Sequence, residues 1–325
     1  MKLNVNSEKN PYLNVLLKLA ILAVLIFVLD FVIGTGAKKL YFKPTEGKFY
    51  DETYAFDSTK ADILIVGSSK AAHNYISQNI EDSLNLTSYN AGHEGARFLH
   101  QYALLKGILN RYHPKIIIWD YYIGFKLDPA NYFELSTILP YYENHEEIRP
   151  IVDSRSEFEK YKMISKIYPY NSTIVYNANK LLGFYKNPEK DRSVKGFVPL
   201  RSKWKDEIKV SKKDVVPLDS TCISAYKSII KYCKSNNIQL VMVNSPLYKH
   251  FKSTPNYDRV AKEIAASENI PFLEYSTDTT FMNNQEYFND PLHLNAEGAK
   301  LFTNKLISNI KEQGVTQELA RLADR

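Results

Sequence analysis

After residue 60 the chain is punctuated by short apolar runs rich in Ile and Val. They are DILIVGS at Asp62, the weaker TSYNAG at Thr87, KIIIWDYY at Lys115, IQLVMVNSPLY at Ile238 and IPFLEYS at Ile270. Between them LHQYALLKGILNRY, AYKSIIKYCKSNN and YDRVAKEIAASEN carry apolar residues at helical spacing. Runs apolar on both faces suit strands buried in a parallel sheet, whose crossovers need helices. The alternation predicts a three-layer α/β/α domain with a mostly parallel five-stranded sheet. It breaks between the third and fourth runs, where residues 125–215 hold helical fragments, Pro-containing joints and charge clusters but no second strand and helix series. That stretch reads as an aromatic-rich insertion over one end of the sheet. The ligand crevice of an open α/β sheet lies at the carboxyl ends of its strands, so an insertion leaving from that end is placed to shape it.

A different pattern occupies the N-terminus. YLNVLLKLAILAVLIFVLDFVIG, Tyr12 to Gly34, is long and apolar enough to cross a bilayer core of roughly 30 Å as a helix. Lys18 and Asp30 interrupt it near its two ends, where a long side chain snorkels toward water and a carboxylate sits at the opposite interface. The segment is expected to be a single membrane anchor; a cleaved signal peptide is the alternative, since Gly34-Thr35-Gly36 resembles a cleavage site. Lys2 and Lys9 precede it while Lys38, Lys39 and Lys43 follow, so charge does not fix its orientation. A short tail ahead of a first apolar helix usually stays inside, which places the domain outside the cytoplasm at the cell membrane. The expected division is a cytoplasmic tail at 1–11, an anchor at 12–34, a tether at 35–60 without helical or alternating period, a domain at 61–315 carrying the insertion, and a tail at 316–325.

Composition narrows the function classes. The 325 residues, 44% of them hydrophobic, suffice for one large core. A net charge of +6 and a pI near 8.9 come from scattered lysines without a basic helix or recognition motif, so no nucleic-acid partner is expected. The 24 Tyr and 16 Phe residues can pack a core and can also stack on sugar faces. Cys222 and Cys233, eleven residues apart in one expected helix, would stand about 16 Å apart along its axis, too far to bridge. No metal-ligand spacing is present; no metal and no cofactor are expected.

Chemistry gathers at two places. VGSS, Val66 to Ser69, ends the first strand in a tight turn that opens a helix, where unpaired N–H groups and the positive dipole end face outward. A serine there can be an N-cap or a nucleophile. DPLHLNAEGAK, from Asp290, opens the last amphipathic helix with Asp290 and His293 three apart. A nucleophilic serine needs a base, and the base needs an acceptor that sets its tautomer; one short loop can supply both.

Together and in this order the two motifs resemble those of the SGNH or GDSL hydrolase superfamily, whose fold is flavodoxin-like. VGSS matches that family's first block with Ser in place of the usual Asp, and DPLHLNAEGAK matches the last. The resemblance implies a catalytic Ser69, His293 and Asp290, with an oxyanion hole from the backbone N–H groups of Ser69 and of Gly92 in YNAGHEG. The third block departs: IIIWDYYIG presents Asp120 and Tyr121 and no Asn. A Ser-substituted first block behind a membrane helix is most similar to the cell-surface branch that includes DltD-like proteins and polysaccharide O-acetyltransferases. It implies an extracytoplasmic serine esterase or O-acyltransferase acting on an acylated envelope glycan or similar ester, with a membrane acyl-carrier protein as candidate partner. The alternative is a non-catalytic envelope-assembly or glycan-binding protein that keeps the fold. His73, His93, Arg97 and Asn244 are the candidate substrate contacts, each with packing or a surface role as the plainer reading.

Overall fold

A computed structural model describes residues 11–184, 193–205, 215–248 and 254–312. The expected tails, apart from Pro11, lie outside the described residues, as do 185–192 and 206–214 of the insertion. Five parallel strands form the central sheet: β1 Ile63–Val66, β2 Ser88–Asn90, β3 Ile116–Asp120, β4 Gln239–Asn244 and β5 Phe272–Glu274, in the order β2-β1-β3-β4-β5. The apolar runs of β1, β3 and β4 are strands whose alternate residues enter two different cores. Leu64, Val66, Ile117, Trp119, Leu240 and Met242 face one core, and Ile63, Ile65, Ile116, Ile118, Val241 and Val243 the other.

The first core is covered by α2 (Lys48–Asp57), α5 (Phe98–Arg111), α7 (Ser220–Ser235) and α8 (Asn256–Ser267), together with the insertion. The second is covered by α3 (Ser69–Asn74), α4 (Ser77–Leu84) and α9 (Ala296–Glu312). Cys222 and Cys233 both lie in α7, buried and unbridged, as packing residues. The insertion holds short helical turns and one longer helix, α6 (Ile174–Leu181), with no strand of its own among the described residues. A small antiparallel hairpin, β6 Phe288–Asp290 with β7 His293–Leu294, precedes α9.

The N-terminal helix α1 runs from Pro11 to Tyr41, beyond the expected end at residue 34. Its large apolar residues are exposed from Tyr12 to Ile33, while Gly34, Ala37 and Tyr41 are buried against the domain. The expected tether at 35–60 is therefore corrected: its first part continues α1 and its second forms α2, which buries Phe49, Ala55 and Phe56. Those positions recur with helical spacing, but the buried residue that completes the stripe is Glu52, and a carboxylate in a buried stripe hides the period from a reading of polar against apolar.

Candidate active site

The two hydroxyls at the end of β1 have different environments. Ser68 is the N-cap of α3, its Oγ accepting a hydrogen bond from the Lys70 N–H at 3.4 Å. Ser69 is then the first helical residue, so its own N–H has no intrahelical acceptor. Gly67 is required for the close approach that makes this turn: a Cβ there would stand 2.7 Å from Ala71 Cβ and 2.9 Å from Asp120 Cβ.

The hairpin brings the C-terminal motif to this serine. His293 Nε2 lies 2.7 Å from Ser69 Oγ. On the other side of the ring, Nδ1 donates to Asp290, 2.9 Å from Oδ1 and 2.8 Å from Oδ2. Asp290 also accepts the backbone N–H groups of Leu292 at 2.9 Å and His293 at 3.1 Å, so one carboxylate fixes both the turn around Pro291 and the imidazole. Partial burial opposes its ionisation, but the His293 ring and the Leu292 amide hold its carboxyl down at about 2. The acceptor is anionic at neutral pH, and Nδ1 keeps its proton. That leaves the Nε2 lone pair toward Ser69, the tautomer a general base needs. A cavity of about 210 Å³ opens beside the pair, walled by Arg97, Tyr122, Lys126, Glu134 and Leu292.

No family model and no curated protein matches this sequence. Among solved structures, a protein from Desulfitobacterium hafniense described as lipolytic and of the G-D-S-L family shares 11% identity at a TM-score of 0.40, over 76% of this chain and 97% of its own. A protein from Bacteroides fragilis described as an acylhydrolase shares 12% at 0.37, over 77% and 86%. The psychrotrophic esterase EstA from a Pseudoalteromonas species, in a form inhibited by monoethylphosphonate, shares 12% at 0.41, over 77% and 97%. These likenesses are loose, and the chemistry rests on the geometry of the site.

The other expected residues divide. Arg97 lines the cavity with an exposed side chain, and no hydrogen bond or ion pair holds its guanidinium among the described residues. His73 is buried behind the triad, its ring edge-on to His293 at 5.4 Å, with Nδ1 donating to the Val198 carbonyl at 2.8 Å and Nε2 3.2 Å from Glu94. It braces the base and does not line the cavity. Gly92 sits where expected, yet its N–H donates to Asn90 Oδ1 at 2.9 Å. Its lack of a side chain serves packing instead, since a Cβ would fall 2.4 Å from Ala72 N. Asn244 turns away, its Nδ2 3.4 Å from both Glu274 and Ser276. His93 is buried with His100 and Glu52 of α2: His100 Nε2 is 2.7 Å from one carboxylate oxygen and His93 Nδ1 4.0 Å from the other. Burial opposes ionisation of Glu52, but the two imidazoles hold its carboxyl below the usual range. Those rings are nearly parallel, 21° apart, and a donor atom from each of Glu52, His93 and His100 lies within 4.8 Å of the others, a grouping that could hold a metal ion.

A buried polar network at the strand ends had no signal in the motifs. Asp120, closing β3, accepts from the Ser245 N–H at 3.1 Å and from its hydroxyl at 2.9 Å. Burial raises its carboxyl above the usual range, against the pull of Lys70. Lys70, fully buried next to the serine, donates to the Ser245 carbonyl at 2.8 Å and lies over the Tyr122 ring at 4.8 Å. Asn74 joins the network to the hairpin: its Nδ2 donates to Ser245 Oγ at 3.2 Å, and its Oδ1 accepts the Leu294 N–H at 3.0 Å. The residue after His293 is thus tied to the helix that begins with Ser69.

Proposed function

We propose that this chain is a membrane-anchored, extracytoplasmic serine esterase or O-acyltransferase of the SGNH type, acting on an acylated cell-envelope glycan or a similar ester. The observation that carries the reading is the 2.7 Å contact between Ser69 Oγ and His293 Nε2, with Asp290 anionic behind the ring. Ser69 Oγ attacks the acyl carbonyl carbon while Nε2 takes the hydroxyl proton. The tetrahedral oxyanion develops beside the Ser69 N–H and the N-terminal end of α3, where an unpaired donor and the helix dipole favour negative charge. Collapse breaks the ester bond as Nε2 returns its proton to the departing alcohol, leaving the acyl group on Ser69. Water or a sugar hydroxyl then gives its proton to Nε2 and attacks the acyl-enzyme; the acyl–Oγ bond breaks as Nε2 returns that proton to Ser69 Oγ, releasing the acid or the new ester. Arg97 is placed to hold an anionic part of the substrate, and an acyl group can reach the site from a membrane carrier because α1 holds the domain to the bilayer.

Two observations favour a second reading, a binding protein that has kept the fold. Gly92 spends its N–H on Asn90, and the third block, with Asp120 and Tyr121, lacks the Asn of the family's pattern. The two readings part on a fluorophosphonate probe, which labels only an activated serine. The expected result is an adduct on Ser69, located by mass spectrometry in the full chain and abolished in Ser69→Ala and His293→Ala. A folded protein that stays unlabelled while a control esterase reacts would sink the enzymatic reading.

A further inference from the structure

Outside α1 a group of exposed apolar side chains lies on the insertion, none of them lining the triad cavity. Phe158, Tyr161 and Ile164 are 65%, 58% and 70% exposed, and Val175, Leu182 and Phe184 of the segment around α6 are comparably open. Lysines sit among them: Lys160 lies over the Tyr161 ring at 5.0 Å and Lys162 over Tyr168 at 5.8 Å. Exposed aromatic and aliphatic side chains alternating with Lys have the composition of a membrane interface, where rings sit at headgroup depth and ammonium groups reach toward phosphates.

The level of this face is fixed by its attachment to α1. The Asp30 carboxylate accepts the Ser165 hydroxyl at 2.5 Å and the Lys166 and Ile167 amides at 2.7 and 3.4 Å. Gly34 lets the two backbones touch, since a Cβ there would be 2.2 Å from the Lys166 carbonyl carbon. The lipid-length face of α1, Tyr12 to Ile33, spans about 33 Å at 1.5 Å per residue, the thickness of a hydrocarbon core. Asp30 and Gly34 therefore mark the last turn of that core, and the 165–167 turn packs on that same turn. Ile164 precedes it directly. A cavity of about 390 Å³ opens here too, between Phe31 and Lys38 of α1 and Met163, Lys166 and Arg149 of the insertion.

We infer that the insertion face carrying Phe158, Tyr161 and Ile164 is a second membrane-contact surface, set into the headgroup layer of the bilayer that α1 spans. The inference rests on α1 being a membrane span, and it goes further: the domain is not hung on a leash but seated on the bilayer in one orientation. The insertion also walls the triad cavity through Lys126, Asp128, Asn131 and Glu134, so the membrane seat and the cavity wall belong to one continuous segment.

The test reconstitutes the full chain in nanodiscs of phosphatidylcholine and phosphatidylglycerol. An environment-sensitive fluorophore is attached at Ile164→Cys, with Leu25→Cys in mid α1 as the embedded control and Lys300→Cys on α9, across the sheet, as the distant one. Cys222 and Cys233 are buried, so the introduced thiol takes the label. Nitroxide-bearing lipids should quench the Ile164 label several-fold more than the Lys300 label, with Leu25 quenched as well. Quenching at Leu25 with Ile164 no different from Lys300 would overturn the inference and leave the anchor standing. An Ile164 label shielded from aqueous quenchers yet untouched by lipid nitroxides would overturn it in favour of a protein covering this face. Absence of quenching at Leu25 would remove the anchor and the inference with it.

Discussion

Ser69 is free to point at a base because Ser68 takes the capping duty, a division that depends on which of two adjacent hydroxyls stands outside the helix. Asn74 holds the other half of the geometry, tying the Leu294 amide to α3 while its own amide reaches Ser245. Asn74→Ala frees the hairpin to drift and leaves a buried N–H without its acceptor, which costs about 1–3 kcal/mol of stability. Because proximity terms are steep, the rate of fluorophosphonate labelling at Ser69 is expected to fall by about 10- to 100-fold while the protein stays folded. Stopped labelling kinetics beside a thermal melt check this; a melt shift with an unchanged labelling rate would assign Asn74 to stability alone. That Ser69, His293 and Asp290 would meet was legible because their types and chain order are those that a nucleophilic serine would require. Asn74 was not, because an Asn in a short helix reads as a turn former, and its partners are more than 170 residues distant in sequence. The Gly92 donor was misread for a related reason: the glycine is visible in sequence, but where its N–H points depends on the Asn90 side chain.

Elements follow the same division between local and distant causes. β1, β3 and β4 were legible because each is apolar on both faces, and their carboxyl ends then had to share one edge; β2, Ser-Tyr-Asn, carried the weaker signal. Helix α2 was not legible, since Glu52 occupies its buried stripe and its ion-pair partners there, His93 and His100, come from beyond β2. The helix belongs to the core: Phe56 is fully buried, stacks on Tyr141 with ring centroids 4.2 Å apart, and fills the space left by Gly107. Phe56→Ala is expected to lower the unfolding free energy by about 3–5 kcal/mol, the range for a large aromatic removed from a packed core. A denaturant titration of the full chain in detergent reads this as a lower midpoint with an unchanged slope. A loss below about 1 kcal/mol would fit surface substitutions and return the segment to the status of a tether.

At the scale of the whole molecule, α1 and the insertion form one joint, and no local pattern announces it. Asp30 in an apolar stretch reads as a residue at a membrane interface, but the partners that hold it are a hydroxyl and two amides some 135 residues later. Gly34 likewise suggested a cleavage site, and in the folded chain it also lies against the insertion, where a Cβ would stand 2.2 Å from the Lys166 carbonyl carbon. The two residues act together: the glycine admits the Lys166 backbone, and the carboxylate then captures its amide. Gly34→Val places methyl groups where the Lys166 carbonyl lies, so the turn must lift away and the Asp30 hydrogen bonds must break. Hydrogen exchange of the full chain in nanodiscs should show the Lys166 and Ile167 amides losing protection several-fold, while Ile117 and Ile118 in β3, across the core, keep theirs. The contrast separates loosening of the joint from general unfolding, because the sheet reports the stability of the domain and the turn reports its seat. Unchanged protection at both amides would mean the joint tolerates a side chain at position 34 and that something other than this contact holds the insertion to α1.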